Sequence, residues 1–234
     1  MTARVALISG ARRGIGAAIG QKLLADGWNL SLGLRGDAVP DWAATAGDGR
    51  VHHQAYEATD PAGEAAWVEG AMAAYGRIDA VVASAGISAG KSVLAADDDE
   101  IRQMMEINVL APRRLVKACW PALSACGQGR VIILASLSGK RVKSAVSGSY
   151  ALSKFAAVAL SHAIRQEGFD LGIRATAICP GFVATEMAFS LTAMAPEKMT
   201  KPEDIARITA LLLDLPNEAV VAELAVNCTL EPSF

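Results

Sequence analysis

The stretch Val5-Ala-Leu-Ile-Ser-Gly-Ala-Arg-Arg-Gly-Ile-Gly16 joins a short apolar run to a glycine-rich turn, and a segment of helical period follows it. Its glycines, Gly10, Gly14 and Gly16, are spaced GxxxGxG. Glycine permits positive φ and close backbone approach, and the amino end of a helix offers unpaired N–H groups to phosphate. The spacing differs from the GxGxxG dinucleotide fingerprint, and a plain tight turn is the alternative. Its place at a strand-to-helix junction favours a nucleotide pyrophosphate site.

The same alternation of apolar runs and helical segments continues along the chain. Predicted strands cover 4–9, 29–34, 51–56, 80–84, 131–135, 173–179 and 222–226, and predicted helices cover 15–25, 61–75, 99–125, 149–167 and 202–213. This order predicts an α/β fold, a Rossmann-type doubly wound sheet of seven mostly parallel strands with helices on both faces. We expect a single domain over 1–234, with a short substrate loop at about 182–200. Ligands of such sheets bind at the carboxyl ends of the strands.

Composition excludes several classes of function. With 52% hydrophobic and 20% charged residues in 234, the chain can bury a core, and a net charge of -2 argues against nucleic acid as a partner. Its apolar runs fall short of the roughly 18 residues of a membrane span, and the first ten residues do not resemble an export signal. Four dispersed cysteines indicate reduced thiols, so we expect a cytoplasmic protein, and the three histidines lack metal-site spacing.

The pair Tyr150 and Lys154 is the most specific feature for catalysis. Four residues apart on a predicted helix, the two side chains lie on one face. A free phenol has a pKa near ~10 and is a poor acid or base at neutral pH. A lysine about 4 Å away is expected to lower it by roughly three units, before desolvation opposes the change. The sequence thus predicts a tyrosine that exchanges a proton near pH 7, with an ordinary helix surface pair as the alternative.

These residues together resemble the short-chain dehydrogenase/reductase family. The resemblance runs over essentially the whole chain through these motifs in order: GARRGIG at 10–16, ASAG at 83–86, EIN at 106–108, RVIILAS at 130–136, Tyr150-x-x-x-Lys154 and PGFVAT at 180–185. It implies a catalytic tetrad of Asn108, Ser136, Tyr150 and Lys154. Tyr150 would be the general acid or base and Ser136 would bond the substrate oxygen, with Ser138 as the competing hydroxyl. Lys154 would also bind the nicotinamide ribose, and Asn108 would support a water that links the lysine to solvent.

The second predicted strand ends at Arg35, where a fold that binds NAD(H) usually has an acidic residue. Arg35 and Arg13 could grip a 2′-phosphate, which favours NADP(H). Asp37, two residues after Arg35, keeps NAD(H) as the alternative. Together with the resemblance, this predicts a cofactor site of Gly10, Arg12, Arg13, Gly14, Ile15, Gly16, Arg35, Glu57, Ala85, Gly86, Tyr150, Lys154, Pro180, Gly181 and Thr185.

Two segments depart from the family pattern. ASAG stands where Asn-Asn-Ala-Gly is common, so two side-chain amides that would tie the central strand to its neighbours are missing. The last residues, VNCTLEPSF, lack the glycine-rich ending that is common in the family.

Within 182–200, Met187, Phe189, Leu191 and Met194 form an apolar set that favours a lid over a plain loop. A second group, Lys140, Arg141 and Lys143, favours a solvated charge cluster over a site for an anionic substrate.

The expected activity is hydride transfer between NADP(H) and a small carbonyl or alcohol substrate. A non-catalytic nucleotide sensor or scaffold is the alternative from another class, and an epimerase or dehydratase is possible on the same fold. The resemblance also implies a homodimer or homotetramer formed through the predicted helices 99–125 and 149–167.

Overall fold

A computed structural model describes residues 3–36 and 38–230. Its strands are β1 (Val5–Ser9), β2 (Asn29–Leu34), β3 (Val51–Ala55), β4 (Ala80–Ala83), β5 (Arg130–Leu134), β6 (Arg174–Pro180) and β7 (Glu223–Val226). They form one sheet in the order β3-β2-β1-β4-β5-β6-β7, and every pair is parallel. The doubly wound fold is confirmed, with an all-parallel sheet where a mostly parallel one was expected.

The helices are α1 (Gly14–Ala25), α2 (Asp41–Ala44), α3 (Gly63–Tyr75), α4 (Asp98–Met105), α5 (Ala111–Ala125), α6 (Gly148–Gly168), α7 (Glu186–Phe189) and α8 (Pro202–Asp214). The short helices α2 and α7 were not predicted. None of the helices described is both long and apolar enough to cross a bilayer.

The predicted continuous helix 99–125 is wrong in its middle. A π-helical turn, Glu106–Leu110, separates α4 from α5. Pro112 follows in the first turn of α5 and has no N–H to donate to the carbonyl of Asn108 four residues earlier, which favours the wider turn at this point. Such turns are frequent at functional sites, and this one carries Asn108.

Two apolar cores cover the two faces of the sheet. In β1, Val5 and Leu7 point into the core of α3, α5 and α6, whereas Ala6 and Ile8 point into the core of α1 and α8. Each fully buried aliphatic side chain of this size stabilises the fold by about 1.5–3 kcal/mol. Since helices cover both faces, the carboxyl edge of the strands is left for a binding site. Strand order reverses between β1 and β4, the switch point at which such sheets bind ligands.

Candidate active site

The glycine loop after β1 requires glycine for both conformation and space. Gly10 has φ of 69° and Gly14 has φ of 59°, a region that side chains disfavour. A Cβ on Gly10 would lie 2.7 Å from the Ala85 backbone nitrogen, and one on Gly16 would lie 2.4 Å from the Gly10 carbonyl oxygen. Helix α1 starts in this loop at Gly14, and no side chain caps its amino end. The loop therefore forms a cradle of bare backbone with N–H groups that suit a pyrophosphate.

Ser9, at the end of β1, was not predicted as a site residue. Its hydroxyl oxygen accepts hydrogen bonds from the backbone nitrogens of Ser84 at 3.2 Å and Ala85 at 3.3 Å. This contact holds the loop after β4, which includes Gly86, against the glycine loop. The signal in the sequence was a polar residue closing an otherwise apolar strand.

The three arginines predicted at the nucleotide have different partners. The Arg12 guanidinium donates to the carbonyl oxygens of Arg35 at 2.8 Å and Ala38 at 2.9 Å. It thereby braces the loop after β2, in which Arg35 is exposed. Arg13 instead forms an ion pair with Glu186 at the start of α7. Among these three arginines, the side chain of Arg35 alone forms no hydrogen bond or ion pair with the described residues.

Glu57 and Ile15 are two further predicted cofactor residues that the structure describes. Glu57 is exposed two residues past the end of β3, on the same edge of the sheet as Arg35. Asp37, the residue that kept NAD(H) open, lies outside the described residues. Ile15, in the first turn of α1, packs against the core between α1 and α8, which anchors the glycine loop from below.

The structure brings Ser136, Tyr150 and Lys154 together. Ser136 follows β5 and caps a short 3-10 turn by accepting from the Ser138 nitrogen at 3.1 Å. Its hydroxyl donates to the Pro180 carbonyl oxygen at 3.5 Å, and Ser136 lies close enough to Tyr150 to lower the pKa of that phenol. On the next turn of α6, the Lys154 ammonium donates to the Leu134 carbonyl oxygen at 2.7 Å and lies 5.6 Å from the centroid of the Tyr150 ring. Ser138 contacts Ser136 through its backbone nitrogen.

Burial dominates the electrostatics of this pair. It raises the pKa of Tyr150 to about 12, although the nearby Ser136 side chain lowers that pKa in part. It also lowers the pKa of Lys154 to about 8, because this residue is only 5% exposed. The prediction of a tyrosine that titrates near pH 7 is therefore wrong for the chain by itself, because desolvation has the largest effect on the Tyr150 pKa and Ser136 offsets it only in part.

Asn108 is held in a network of hydrogen bonds on the π-helical turn. Its Oδ1 accepts from the Ile87 nitrogen at 2.9 Å, and its Nδ2 donates to the Ile87 carbonyl at 3.0 Å and to the Ser153 hydroxyl at 2.9 Å. A Cβ on Gly86 would lie 3.1 Å from Asn108 Oδ1 and 3.6 Å from Lys154 Nζ. Glycine at this position lets the two side chains converge. Ser153 is a further residue that sequence reasoning missed.

Pro180, Gly181 and Thr185 continue from β6 toward the glycine loop. The Gly181 nitrogen donates to the Val226 carbonyl at 2.7 Å, so the turn after Pro180 is fixed to β7. Thr185 Cγ2 lies 3.2 Å from the position that a Cβ on Gly14 would take. The predicted cofactor residues after β1, β4 and β6 therefore border one cleft.

Lys140 was predicted in a solvated cluster with Arg141 and Lys143, and for Lys140 that prediction is wrong. Its ammonium forms an ion pair with Glu223 of β7, and both side chains are about three-quarters buried. The other carboxylate oxygen of Glu223 contacts His162 Nε2 at 2.7 Å. The residues next to Lys140 in the sequence could not show that Glu223 is its partner, because the two are 83 positions apart.

The prediction of unpaired thiols is confirmed, since Cys119, Cys126, Cys179 and Cys228 are all free. Burial raises the pKa of Cys119 and of Cys179, so neither is a reactive thiolate. Over 3–36 and 38–230, histidine, cysteine and carboxylate side chains do not gather into a group of three or more that could hold a metal.

A family model described as short chain dehydrogenase matches residues 4–196. The chain belongs to the short-chain dehydrogenase family. The resemblance stated from the motifs is therefore confirmed, and the family is one of oxidoreductases.

Three members illustrate how similar this short-chain dehydrogenase is to known proteins. An agropine synthesis reductase of Rhizobium rhizogenes is 38% identical over 232 residues, which cover 97% of this chain but 53% of that protein. The chain thus spans about half the length of that relative. Oxidoreductase UcpA of Escherichia coli is 34% identical over an alignment that covers 87% of this chain and 76% of the UcpA chain. The solved alcohol dehydrogenase of Thermococcus sibiricus, complexed with 5-hydroxy-NADP, is 29% identical, with a TM-score of 0.83 over 95% of each chain.

Proposed function

We propose that this chain is an NADP(H)-dependent reductase that transfers hydride between the nicotinamide and a small carbonyl or alcohol substrate. The observation that carries the proposal is the convergence of three side chains: Ser136 lies beside Tyr150, and the Lys154 ammonium lies 5.6 Å from the centroid of the Tyr150 ring. These groups stand at the carboxyl edge of the sheet, beside the glycine cradle. The complex of the Thermococcus relative with an NADP derivative supports the choice of cofactor class.

The residues present fit a dinucleotide. The cradle of Gly10, Gly14 and Gly16 has no room for side chains and would receive the pyrophosphate at the start of α1. Arg35, exposed in the loop that Arg12 braces, would hold a 2′-phosphate by charge-assisted hydrogen bonds. Thr185 lies against Gly14 and would face the nicotinamide half. Ala85, Gly86, Pro180 and Gly181 would form the walls between the two halves.

In the reductive direction the bound nicotinamide supplies the hydride. The substrate oxygen then gains negative charge, and the Tyr150 hydroxyl donates its proton to that oxygen. A proton donor positioned in this way contributes about 10²- to 10⁴-fold in rate. Ser136 donates a second hydrogen bond to the same oxygen, and such donors contribute about 10²- to 10³-fold. Lys154 stabilises the phenolate that Tyr150 becomes, and Asn108 holds the helices on which these groups stand.

Burial raises the pKa of Tyr150 to about 12. A phenol with that pKa is protonated at neutral pH and ready to donate. Oxidation of an alcohol needs the phenolate instead, which must be stabilised by further positive charge near the ring.

A small substrate with an apolar part fits the exposed side chains of the segment after β6. Met187, Phe189 and Leu191 are 41–48% exposed there and would cap the cleft as a lid. On α6, Leu152 and Phe155 are 49% and 43% exposed, which supports a homodimer or homotetramer through this helix. The reduced thiols support a cytoplasmic location.

The test is consumption of cofactor by the purified protein. NADPH and NADH are offered separately with a panel of small ketones and quinones, and absorbance of the reduced nicotinamide is followed. We expect substrate-dependent loss of absorbance with NADPH in preference to NADH. Tight NADPH binding without turnover across the panel would overturn the proposal in favour of a nucleotide sensor. Product formed with only catalytic cofactor would indicate an epimerase or dehydratase.

A further inference from the structure

One ion pair spans the mouth of the cleft. Arg13, in the glycine loop after β1, contacts the carboxylate of Glu186, the first residue of α7 after β6. The pair joins residues 173 positions apart, and both side chains are about two-thirds exposed. Thr185, the neighbour of Glu186, lies against Gly14 beneath it. The glycine loop after β1 and the segment after β6 are therefore linked by opposite charges.

The segment that carries Glu186 has a defined base. A parallel bridge joins Val183 to Thr200, with the Ala184 nitrogen donating to the Thr200 carbonyl at 2.9 Å. The Thr200 nitrogen donates in turn to the Phe182 carbonyl at 3.2 Å. This closed base delimits residues 184–199, which we call the flap. The contact of Glu186 with Arg13 is what ties the first turn of this flap to the glycine loop.

We infer that Arg13 and Glu186 form a clasp that closes over a bound nicotinamide dinucleotide and slows its release. The inference rests on the cofactor binding proposed above. It assigns Arg13 to retention of the cofactor, whereas Arg35 is the residue that recognises a 2′-phosphate. Glu186 is a positioning residue in this scheme: it acts through Arg13 and through the flap, without touching a reacting atom.

The expected effect is small because the pair is exposed. Exposed ion pairs contribute little to stability and are screened by salt, so loss of the clasp should accelerate release of NADPH by about two- to five-fold. The effect should disappear at about 1 M salt, where the Debye length is about 3 Å.

The experiment measures the rate of NADPH release by stopped-flow nicotinamide fluorescence, with excess NADP⁺ as the chase. Glu186→Gln is compared with Glu197→Gln, an exposed carboxylate of the same flap. Arg13→Gln and the double variant Arg13→Gln/Glu186→Gln complete a double-mutant cycle. We expect faster release from Glu186→Gln, no change in Glu197→Gln, and less than additive effects in the double variant. Unchanged release from Glu186→Gln would overturn the clasp, and so would slower release, which would mean that Glu186 competes with phosphate for Arg13.

A second readout needs no cofactor. Trypsin can cut after Lys198 in the flap, whereas the bond after Lys201 precedes Pro202 and resists it. The Glu186→Gln variant should be cut at Lys198 faster than the wild type without cofactor, and NADPH should protect the wild type more than the variant. Equal cutting would overturn the clasp. If the wild type binds no NADPH at all, the proposed function fails and the clasp fails with it; if NADPH binds but release is unchanged, the clasp alone fails.

Discussion

The side-chain amide of Asn108 donates to the Ser153 hydroxyl at 2.9 Å, and that hydroxyl donates to the Tyr150 carbonyl oxygen at 2.8 Å. The relay joins the π-helical turn to the turn of α6 that carries the proposed proton donor. It gives Asn108 a positional role that is independent of any water.

Removing the hydroxyl of Ser153 should loosen the relay. In Ser153→Ala, Asn108 Nδ2 keeps only the Ile87 carbonyl as partner, so we expect a free energy of unfolding lower by about 1–2 kcal/mol. Turnover should fall while the Kd for NADPH stays near that of the wild type. Ser161→Ala is the matched control, because this serine is equally buried on α6 and its Oγ has no hydrogen-bond partner in the described part of the chain. Equal losses in both variants would contradict the relay.

Tyr150→Phe removes the proposed proton donor. We expect reduction to slow by about 10²- to 10⁴-fold, with NADPH affinity nearly unchanged. The control is Tyr75→Phe, which loses a hydroxyl bonded to the Leu30 carbonyl at 3.1 Å away from the cleft. Steady-state kinetics and fluorescence titration of NADPH measure the two effects. A Tyr150→Phe variant with wild-type rates would show that another group donates the proton.

Arg35→Ala tests recognition of the 2′-phosphate. A hydrogen bond to a charged group contributes about 1.5–3 kcal/mol, so the Kd for NADPH should rise about ten- to hundred-fold. The Kd for NADH should change little, since NADH lacks that phosphate. Arg102→Ala, on the exposed face of α4, is the control and should affect neither cofactor. A parallel loss of affinity for both cofactors would indicate that Arg35 shapes the site without reading the phosphate.

Burial of Lys154 should make stability depend on pH. Its pKa falls from 10.5 in the unfolded chain to about 8 in the fold, so between these values the unfolded chain binds more protons. Wild-type stability should therefore increase with pH in this range relative to Lys154→Met, by up to about 3 kcal/mol. Denaturant unfolding at pH 7 to 10.5 measures the difference. Lys117→Met, exposed on α5, should give no such trend, and a flat difference for Lys154→Met would mean that the ammonium is solvated.

The architecture was readable from local patterns. Strand β2 was predicted at its exact bounds, and the other strands differ by one or two residues, because strand ends depend on hydrogen bonds to neighbouring strands. Apolar runs predict buried strands, and glycines predict tight turns, from neighbouring residues alone. The seven strands and the glycine loop from Gly10 to Gly16 could therefore be predicted from the sequence. The break in the predicted helix 99–125 was not foreseen, although Pro112 was a local signal for it.

Partners and ionisation were decided by tertiary contacts alone. The position of Arg13 in the glycine loop suggested a phosphate ligand, but its partner Glu186 comes from the far side of the cleft. The i, i+4 spacing brought Lys154 near Tyr150 as expected, yet it carried no information on how much water the fold removes from either group. Because desolvation depends on everything packed around a side chain, the sequence determined which groups meet in the cleft, and only the packed structure determined their charge.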